Sequence, residues 1–526
     1  MNANRSKKKG VTPAGAETTP AGGPTRRLEK TFVIMVLLLG AFLFVRAAWV
    51  SEDAYITFRT IDNFVNGYGL RWNIVERVQS YTHPLWMFLM TLFFLMTREF
   101  YFTTIVISLI LSFATVWLVA QKLSVTAYSA FPAIFALLSS KAFVDYTSSG
   151  LETPLSFFLL ALFYLFFFKR EFKLRTLLLL FLIACLAALN RLDTILFYVP
   201  PLAYFVYRTR KDEGLAWSSI WKAALLGFLP LIGWFVFSIV YYGFPFPNTA
   251  YAKLNAGVPE AMLLAQGLKY LVYSIRNDTV TPAVIFFAIG YTLFRSKGKF
   301  LFAGIGMAAY VIYVWGIGGD FMAGRFFALP VLSSAMLLGK LDFKRSLGLA
   351  VAGVLVIVGL LVPKPTYLYS NAYEDTVIGK SGITDERGFY YQVSGLLKML
   401  SIGAREPVSP WIEEARLYKA KGIRMVARET VGYFGYYIGP KVYIVDLLAL
   451  NDPLLARLKI PDTNNWRIGH FRRALPEGYL ESLATGKNEI HSPRISMLYD
   501  DLNVITRGKI WSADRFKAMV RVNLGE

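Results

Sequence analysis

Cysteine is nearly absent from this chain. The one residue, Cys185, sits inside an apolar run, so no intrachain disulfide can staple the fold. Histidine is almost as scarce: His83, His470 and His491 are far apart in sequence, and no Cys/His cluster has metal-site spacing. There is no internal repeat with a period of about 20–50 residues and no heptad run, which excludes solenoids and coiled coils. No glycine-rich loop follows a strand and opens a helix. GIGGD (316–320) has the glycines without that context, so a nucleotide-donor loop is excluded. No believable Ser-His-Asp set is present. Acidic residues are outnumbered, 35 against 56 basic, giving a net charge of +21. That balance would suit nucleic acid, but many of the basic side chains lie in short loops between apolar runs, which is the pattern of membrane topology. Nucleic acid is therefore not an expected partner.

What is abundant is apolar. Of 526 residues, 55% are hydrophobic and 16% aromatic, the composition of a polytopic α-helical membrane protein. Apolar runs lie at about 31–50, 84–97, 101–120, 125–140, 154–168, 174–190, 194–207, 221–242, 279–294, 300–317, 326–339 and 345–362. The loops KREFKLR (169–175), RTRKDE (208–213), RSKGK (295–299) and KLDFKR (340–345) are basic and short, so they read as cytoplasmic. Residues 1–30, with seven Lys or Arg, read as a disordered cytoplasmic tail. Residues 31–362 then form the transmembrane region, with an outer loop at 51–83, and 363–526 form a small soluble α/β domain outside. Parity requires one of 84–97, 101–120 and 125–140 to be re-entrant or interfacial, leaving about 11 full spans. Strand–turn–strand is expected in IRMVARETVGYFGYYIGPKVYIVDLLAL.

The stretch SEDAYITFRTIDNFVNGYGLRWNIVERVQSYTHPLW (51–86) carries the first unusual chemistry. Ser51 can cap a helix whose first turn holds Glu52 and Asp53, with Ala54, Phe58, Ile61 and Val65 on one face and Asn66-Gly67 at its end. It reads as an amphipathic helix on the membrane surface. The same outer side receives Glu152 in GLETP, Asn190, Arg191 and Asp193, then Asn248, Tyr251 and Lys253 in PFPNTAYAK, and Asp320 and Arg325 in GGDFMAGR. Paired carboxylates can serve as general base and orienting partner for a hydroxyl nucleophile. Arg325, Lys253 and Arg191 suit a phosphate. Tyr81, Trp86, Trp72, Tyr55 and Tyr251 offer flat faces for a sugar or a prenyl chain. Each has a plainer reading. Glu52 and Asp53 could only complement a helix dipole, Glu152 could cap a helix, and Asn190, Arg191 and Asp193 could be an intramembrane structural pair. Asp320 and Arg325 could bridge each other, and His83 beside Pro84 reads as structural.

In their shared order, EDAYITFR, NGYGLRWN, ERVQSYTHPLW, SGLETPL, LNRLD, PNTAYAK, GGDFMAGRFF and VDLLALNDP followed by GH resemble the GT-C glycosyltransferases. Within them the chain is most similar to the branch containing the mycobacterial terminal arabinofuranosyltransferase of cell-wall arabinan. The resemblance implies a GT-C membrane core with a periplasmic C-terminal domain, in the bacterial inner membrane. It implies transfer of a sugar, arabinofuranose or another pentofuranose, from a polyprenyl-phosphate donor to a hydroxyl of a glycan or protein acceptor. The catalytic acid residue maps onto Asp53, with Glu52 second. Donor and phosphate ligands map onto Arg325, Lys253, Asp320 and Arg191; sugar or acceptor contacts onto Glu152, Tyr81, His83, Trp86, Asn248 and Tyr251. No cofactor is required; a divalent metal is compatible but not indicated. The family often has two aspartates at Glu52-Asp53, Asn at His83 and Gly at Ser80, which leaves sugar and acceptor open. A transporter or lipid-linked-glycan flippase is the alternative, but the charges gather at one face and no half-repeat is visible. A non-catalytic assembly or sensor protein is a third reading, against which the dense outer-loop motifs argue.

Overall fold

Backbone N–H and C=O groups in apolar surroundings must bond within their own segment, so long apolar runs fold as helices. The computed structural model describes residues 24–368, 379 and 381–525; residues 1–23 of the expected tail lie outside the described residues. The first helix, α1, is Pro24–Ala47, so it starts inside the stretch read as tail. It is followed by α2 (Ala54–Val65), α3 (Pro84–Thr97), α4 (Tyr101–Leu118, extended by a π turn to Leu123), α5 (Ala127–Ser139), α6 (Lys141–Asp145), α7 (Thr153–Lys169) and α8 (Leu174–Asn190). Next come α9 (Val199–Glu213), α10 (Trp217–Tyr242), α11 (Asn248–Leu254), α12 (Glu260–Asn277), α13 (Val280–Arg295), α14 (Lys299–Gly316), α15 (Ala328–Gly339) and α16 (Arg345–Leu361). Beyond them lie α17 (Glu386–Ser394), α18 (Leu396–Ser401), α19 (Pro410–Ala420), β1 (Met425–Arg428), α20 (Gly432–Ile438), β2 (Tyr443–Asp446), α21 (Tyr479–Thr485), α22 (Pro493–Arg507) and α23 (Ala513–Leu524).

The apolar helices pack side by side, α10 on α8, α15 and α16 on α5, and α4 on α7. Among the described residues three helices are long and apolar enough to cross a membrane, Tyr101–Leu123, Trp217–Tyr242 and Lys299–Gly316. The other apolar helices have 10–17 residues, so length alone supports three crossings of the expected eleven. The four basic loops meet at one end of the bundle. Lys299 Nζ donates to the carbonyl of Arg170 at 3.0 Å, Glu213 accepts from the Leu174 N–H at 2.9 Å, and Lys340 Nζ lies 5.6 Å from the Phe168 ring centre. The other end holds the loops around Glu52, Glu152, Arg191 and Arg325.

The parity question has a geometric answer. Both ends of α3 abut α2. His83, just before α3, meets the Thr57 hydroxyl at 2.9 Å, while Phe94 near its end stacks on Phe100 at 3.9 Å, which stacks on Phe58 at 4.4 Å. α4, in contrast, starts at this end, where Tyr101 donates to the Ser394 carbonyl at 3.0 Å. It finishes at the basic end, where the Val125 N–H bonds the Gly339 carbonyl at 2.9 Å. α5 and α6 run back, until the Asp145 carbonyl accepts from Trp49 Nε1 at 2.6 Å. Of the three ambiguous runs, 84–97 is thus the one that does not traverse the bundle.

Two expectations are corrected. The segment between β1 and β2 is a helix, not a turn, because the strands pair in parallel, and a parallel pair needs a crossover. α2 does not lie on an open surface. It is roofed by α20, and Ala54 through Ile61 are all buried. The residues after 363 share their apolar clusters with earlier loops: Ile56 and Trp72 pack with Val431, Phe434 and Ile444, and Phe244 and Ala252 pack with Val445, Leu455 and Ile505. Arg59, only 2% exposed, ties the layers together by donating to the carbonyls of Trp72, Gly435 and Val442.

Arg59→Ala removes three buried hydrogen bonds, with the Trp72 carbonyl keeping its second donor, Asn63 Nδ2 at 3.0 Å, so it should lower unfolding free energy by roughly 3 kcal/mol or more. Arg59→Lys, with no planar fork, should recover only part of that. Thermal unfolding of the purified protein in detergent checks both; a wild-type midpoint for the alanine variant would show that the roof is held otherwise.

Candidate active site

At the end of the bundle that α20 roofs, a cavity of about 340 Å³ opens between the bundle loops and the residues beyond 380. Glu52, Asp53, Tyr81, His83, Lys253 and Arg325 line it from the bundle side. The two adjacent carboxylates behave differently. Glu52, 5% exposed, accepts from the backbone N–H groups of Gly432 and Tyr433 at the start of α20. Any side chain at Gly432 would collide with Glu52, so glycine is required for this approach. Burial, reinforced by the neighbouring Asp53, raises the Glu52 pKa to about 8 despite those donors. Asp53 precedes α2 and is only half-buried. Its carboxylate has no hydrogen-bond or ion-pair partner among the described residues, and burial raises its pKa against the pull of Arg325 and Lys253. It faces the cavity as a free acceptor.

Behind this wall lies a charge network. Glu152, 1% exposed, precedes α7. It accepts from Arg325 at 3.1 Å, lies 3.7 Å from Arg191, and stands 3.4 Å from His83 Nδ1. Burial would raise its pKa, but the arginines, Arg325 foremost, hold it at about 2. His83 is pushed down to about 4, mainly by burial, so it is neutral at pH 7 and stands beside Glu152 uncharged, its ring nitrogens on the Thr57 and Thr82 hydroxyls at 2.9 and 3.3 Å. Arg191 is forked onto Asp193 at 2.8 and 2.9 Å and lies 4.4 Å from the Phe326 ring centre. Asp320, 3% exposed, sits 3.8 Å from Arg325. Glu152, Asp320 and Arg191 therefore stand behind the lining residues. One donor stays open: Lys253, exposed toward the cavity, pairs with no acid among the described residues. Arg325 also lines the cavity, but its Nε is buried and has no partner among the described residues.

Three sequence candidates lie outside the cavity wall. Trp86 is fully buried and donates to the Gly150 carbonyl at 3.1 Å. Asn248 donates to the carbonyls of Ala449, Leu450 and Asp452 at 3.0–3.2 Å, pinning α11 to the loop after β2. Tyr251 packs on Phe244 at 5.6 Å beneath Arg457. Tyr81 lines the cavity, but its hydroxyl is bonded to Tyr242 at 2.9 Å.

The far wall comes from Glu386, Tyr390, Trp411 and Arg467, none singled out in the sequence, together with His470. Arg467 bonds the Gly382 carbonyl at 2.9 Å and the Thr384 hydroxyl at 2.8 Å, and His470 meets Phe321 edge-on at 4.3 Å. Only the GH of the family-like pattern pointed there. Among the described residues no three His, Cys, Asp or Glu side chains are grouped so as to hold a metal ion.

No family model matches the chain, and no curated protein matches it. Among solved structures it is similar to the crystal structure of ArnT from Cupriavidus metallidurans bound to undecaprenyl phosphate, at 11% identity and a TM-score of 0.47, over 80% of this chain and 85% of that one. A likeness that loose carries neither fold nor function, which rest on the geometry.

The Glu52 shift sets a pH dependence. Between its unfolded value of 4.5 and its folded value of about 8, the folded state binds more protons than the unfolded state, so stability falls as pH rises through that window. Glu52→Gln keeps an acceptor for Gly432 and Tyr433 but cannot ionise. Its unfolding midpoint should therefore decline less between about pH 5 and pH 8 than that of the wild type. Parallel pH profiles would place the proton elsewhere.

Proposed function

We propose that this chain is an integral membrane glycosyltransferase of GT-C type, transferring a sugar, a pentofuranose such as arabinofuranose, from a polyprenyl-phosphate donor to a hydroxyl acceptor on the outer face. One observation supports it above the others: a free carboxylate, Asp53, shares a cavity with an unpaired cation, Lys253, and with the guanidinium of Arg325, at the end of an apolar bundle. In this reading eleven helices cross the membrane and α3 lies along its outer surface. The basic loops face the cytoplasm, and the cavity faces the periplasm.

The chemistry follows from the residues. The acceptor oxygen bonds to the anomeric carbon as the bond from that carbon to the phosphate oxygen breaks. Its proton passes to Asp53, and lipid phosphate leaves. Lys253 and the guanidinium of Arg325 offset the charge that develops on the phosphate, in a site shielded from bulk water. Glu152 and Asp320 hold Arg325 in place, so most of its charge is already matched, and Lys253 is the stronger attraction for a donor phosphate. Glu152, His83 and Arg191 act as positioning residues. A divalent cation beside Asp53 would assist the leaving phosphate but is not required by this scheme.

Purified protein with synthetic polyprenyl-phosphate pentofuranose should release polyprenyl phosphate. Asp53→Asn should reduce that turnover by about 100-fold or more with an unchanged unfolding midpoint. Lys253→Met should raise the donor KM more than it lowers kcat. Full activity in Asp53→Asn would overturn the assignment.

A further inference from the structure

Glu386 opens α17, only 7% exposed, on the wall contributed by the segment beyond 380. It has neither a hydrogen bond nor an ion pair among the described residues, yet its oxygens are not sealed off from the cavity. A carboxylate this buried is costly unless donors reach it. Burial, with Asp53 near, raises its pKa well above the ordinary carboxyl value and Arg467 opposes this only through its field, so hydrogen-bond donors for its oxygens are left to what fills the cavity. Beside it stand Tyr390, 8% exposed, and the half-buried Trp411, their ring centres 6.4 Å apart and inclined at 57°. Tyr390 is in turn backed by Trp49, stacked at 6.2 Å. The wall is fixed relative to the phosphate-facing wall: Met322 and Thr384 form a parallel bridge, with the Thr384 N–H on the Phe321 carbonyl at 2.7 Å and the Ala323 N–H on the Thr384 carbonyl at 2.9 Å. Arg325 follows one strand of that bridge and Glu386 the other.

We propose that this half of the cavity is a carbohydrate-acceptor subsite, in which Glu386 accepts hydrogen bonds from sugar hydroxyls while Tyr390 and Trp411 cover the C–H face of the ring. The inference rests on the transferase reading and names its acceptor class. A sugar ring presents O–H donors at its edge and apolar C–H groups on its face, and it matches a carboxylate set beside aromatic planes. A phosphate does not suit this half, because Asp53 and an ionised Glu386 repel it and Arg467, the cation of this wall, is already tied to the Gly382 carbonyl and the Thr384 hydroxyl; the donor phosphate is left to Lys253 and Arg325. A serine or threonine of a protein acceptor would supply one hydroxyl and no ring face. With the ring seated there, a hydroxyl reaches the junction of the two walls, where Asp53 stands.

The test uses the full chain in lipid nanodiscs with a neutral linear hexasaccharide of pentofuranose units, a mannose hexasaccharide and a serine-rich peptide as probes. Saturation-transfer NMR measures binding; synthetic polyprenyl-phosphate pentofuranose measures turnover. One or both sugars should bind and the peptide should not. Glu386→Gln, close in size to the native residue, should weaken sugar binding and raise the acceptor KM about 10-fold or more, with donor binding unchanged. Trp411→Phe, which keeps an aromatic plane of smaller area, should weaken both in the same direction and serves if the Gln variant does not fold. Binding of the peptide alone, no sugar binding by folded wild-type protein, or an unchanged acceptor KM in Glu386→Gln overturns the subsite. Sugar binding that depends on Glu386, in protein that consumes no polyprenyl-phosphate sugar from a donor panel, leaves the subsite standing and removes the transferase reading.

Discussion

A buried carboxylate cannot be left alone, and Glu152 is the one on which the bundle end depends. At 1% exposure its charge is tolerated only because Arg325, Arg191 and His83 approach it from three other loops. Those loops are separated by whole helices in sequence. Asn190 adds a fourth tie, donating to the Glu152 carbonyl at 2.9 Å and to Ser156 at 2.8 Å. Removing the carboxylate would leave Arg191 with Asp193 alone and Arg325 with only the longer, 3.8 Å pairing to Asp320. The network therefore sets where Arg325 points, and with it the cationic side of the cavity.

The opposite constraint comes from the roof. The bundle loops bury polar groups that the bundle satisfies only in part or not at all: the Glu52 carboxylate, the Arg59 guanidinium and the Arg77 guanidinium. The residues beyond 380 supply the partners, namely the N–H groups that start α20 and the carbonyls of Gly435, Val442, Ile505 and Gly508. Both smaller apolar clusters mix residues from before and after position 363. The segment is thus built into the site rather than appended to it, and the cavity has two walls because two parts of the chain close over each other.

How much of this the sequence discloses depends on range. Helical runs, the basic loops and the odd charged residues of the opposite loops are local signals, and parity of crossings brings the latter to one end without any knowledge of contacts. α3 could not be told apart from α4 and α5, since all three are apolar; only the return of Phe94 to Phe100 and Phe58 distinguishes it. Trp86, Asn248 and Tyr251 have the residue types of ligands, but their partners, the Gly150 carbonyl, the Ala449–Asp452 carbonyls and Arg457, are distant in sequence and consume those groups structurally. Glu386 has the reverse history. In SGITDERGFY it looks like an ordinary acidic residue in a helix first turn. Its isolation is visible only once the roof is folded.

The same reasoning divides the adjacent pair at the start of α2. Glu52 and Asp53 are side by side in sequence, and two ionised carboxylates so close in a sheltered place oppose each other. The fold resolves the conflict by environment. Glu52 turns to the amide groups of α20 and, with its pKa at about 8, carries a proton at neutral pH. It holds the roof and is a poor base. Asp53 turns to the cavity with nothing bound to it, near enough to Lys253 and Arg325 for their fields to favour its charged form. A base needs an open lone pair and a charged form at the working pH; Glu52, held protonated, lacks the second, while Asp53 has no partner on its carboxylate and two cations near it. The neutral neighbour lessens the repulsion that would otherwise raise the cost of a charged Asp53, so the structural role of one carboxyl is a condition for the chemical role of the other.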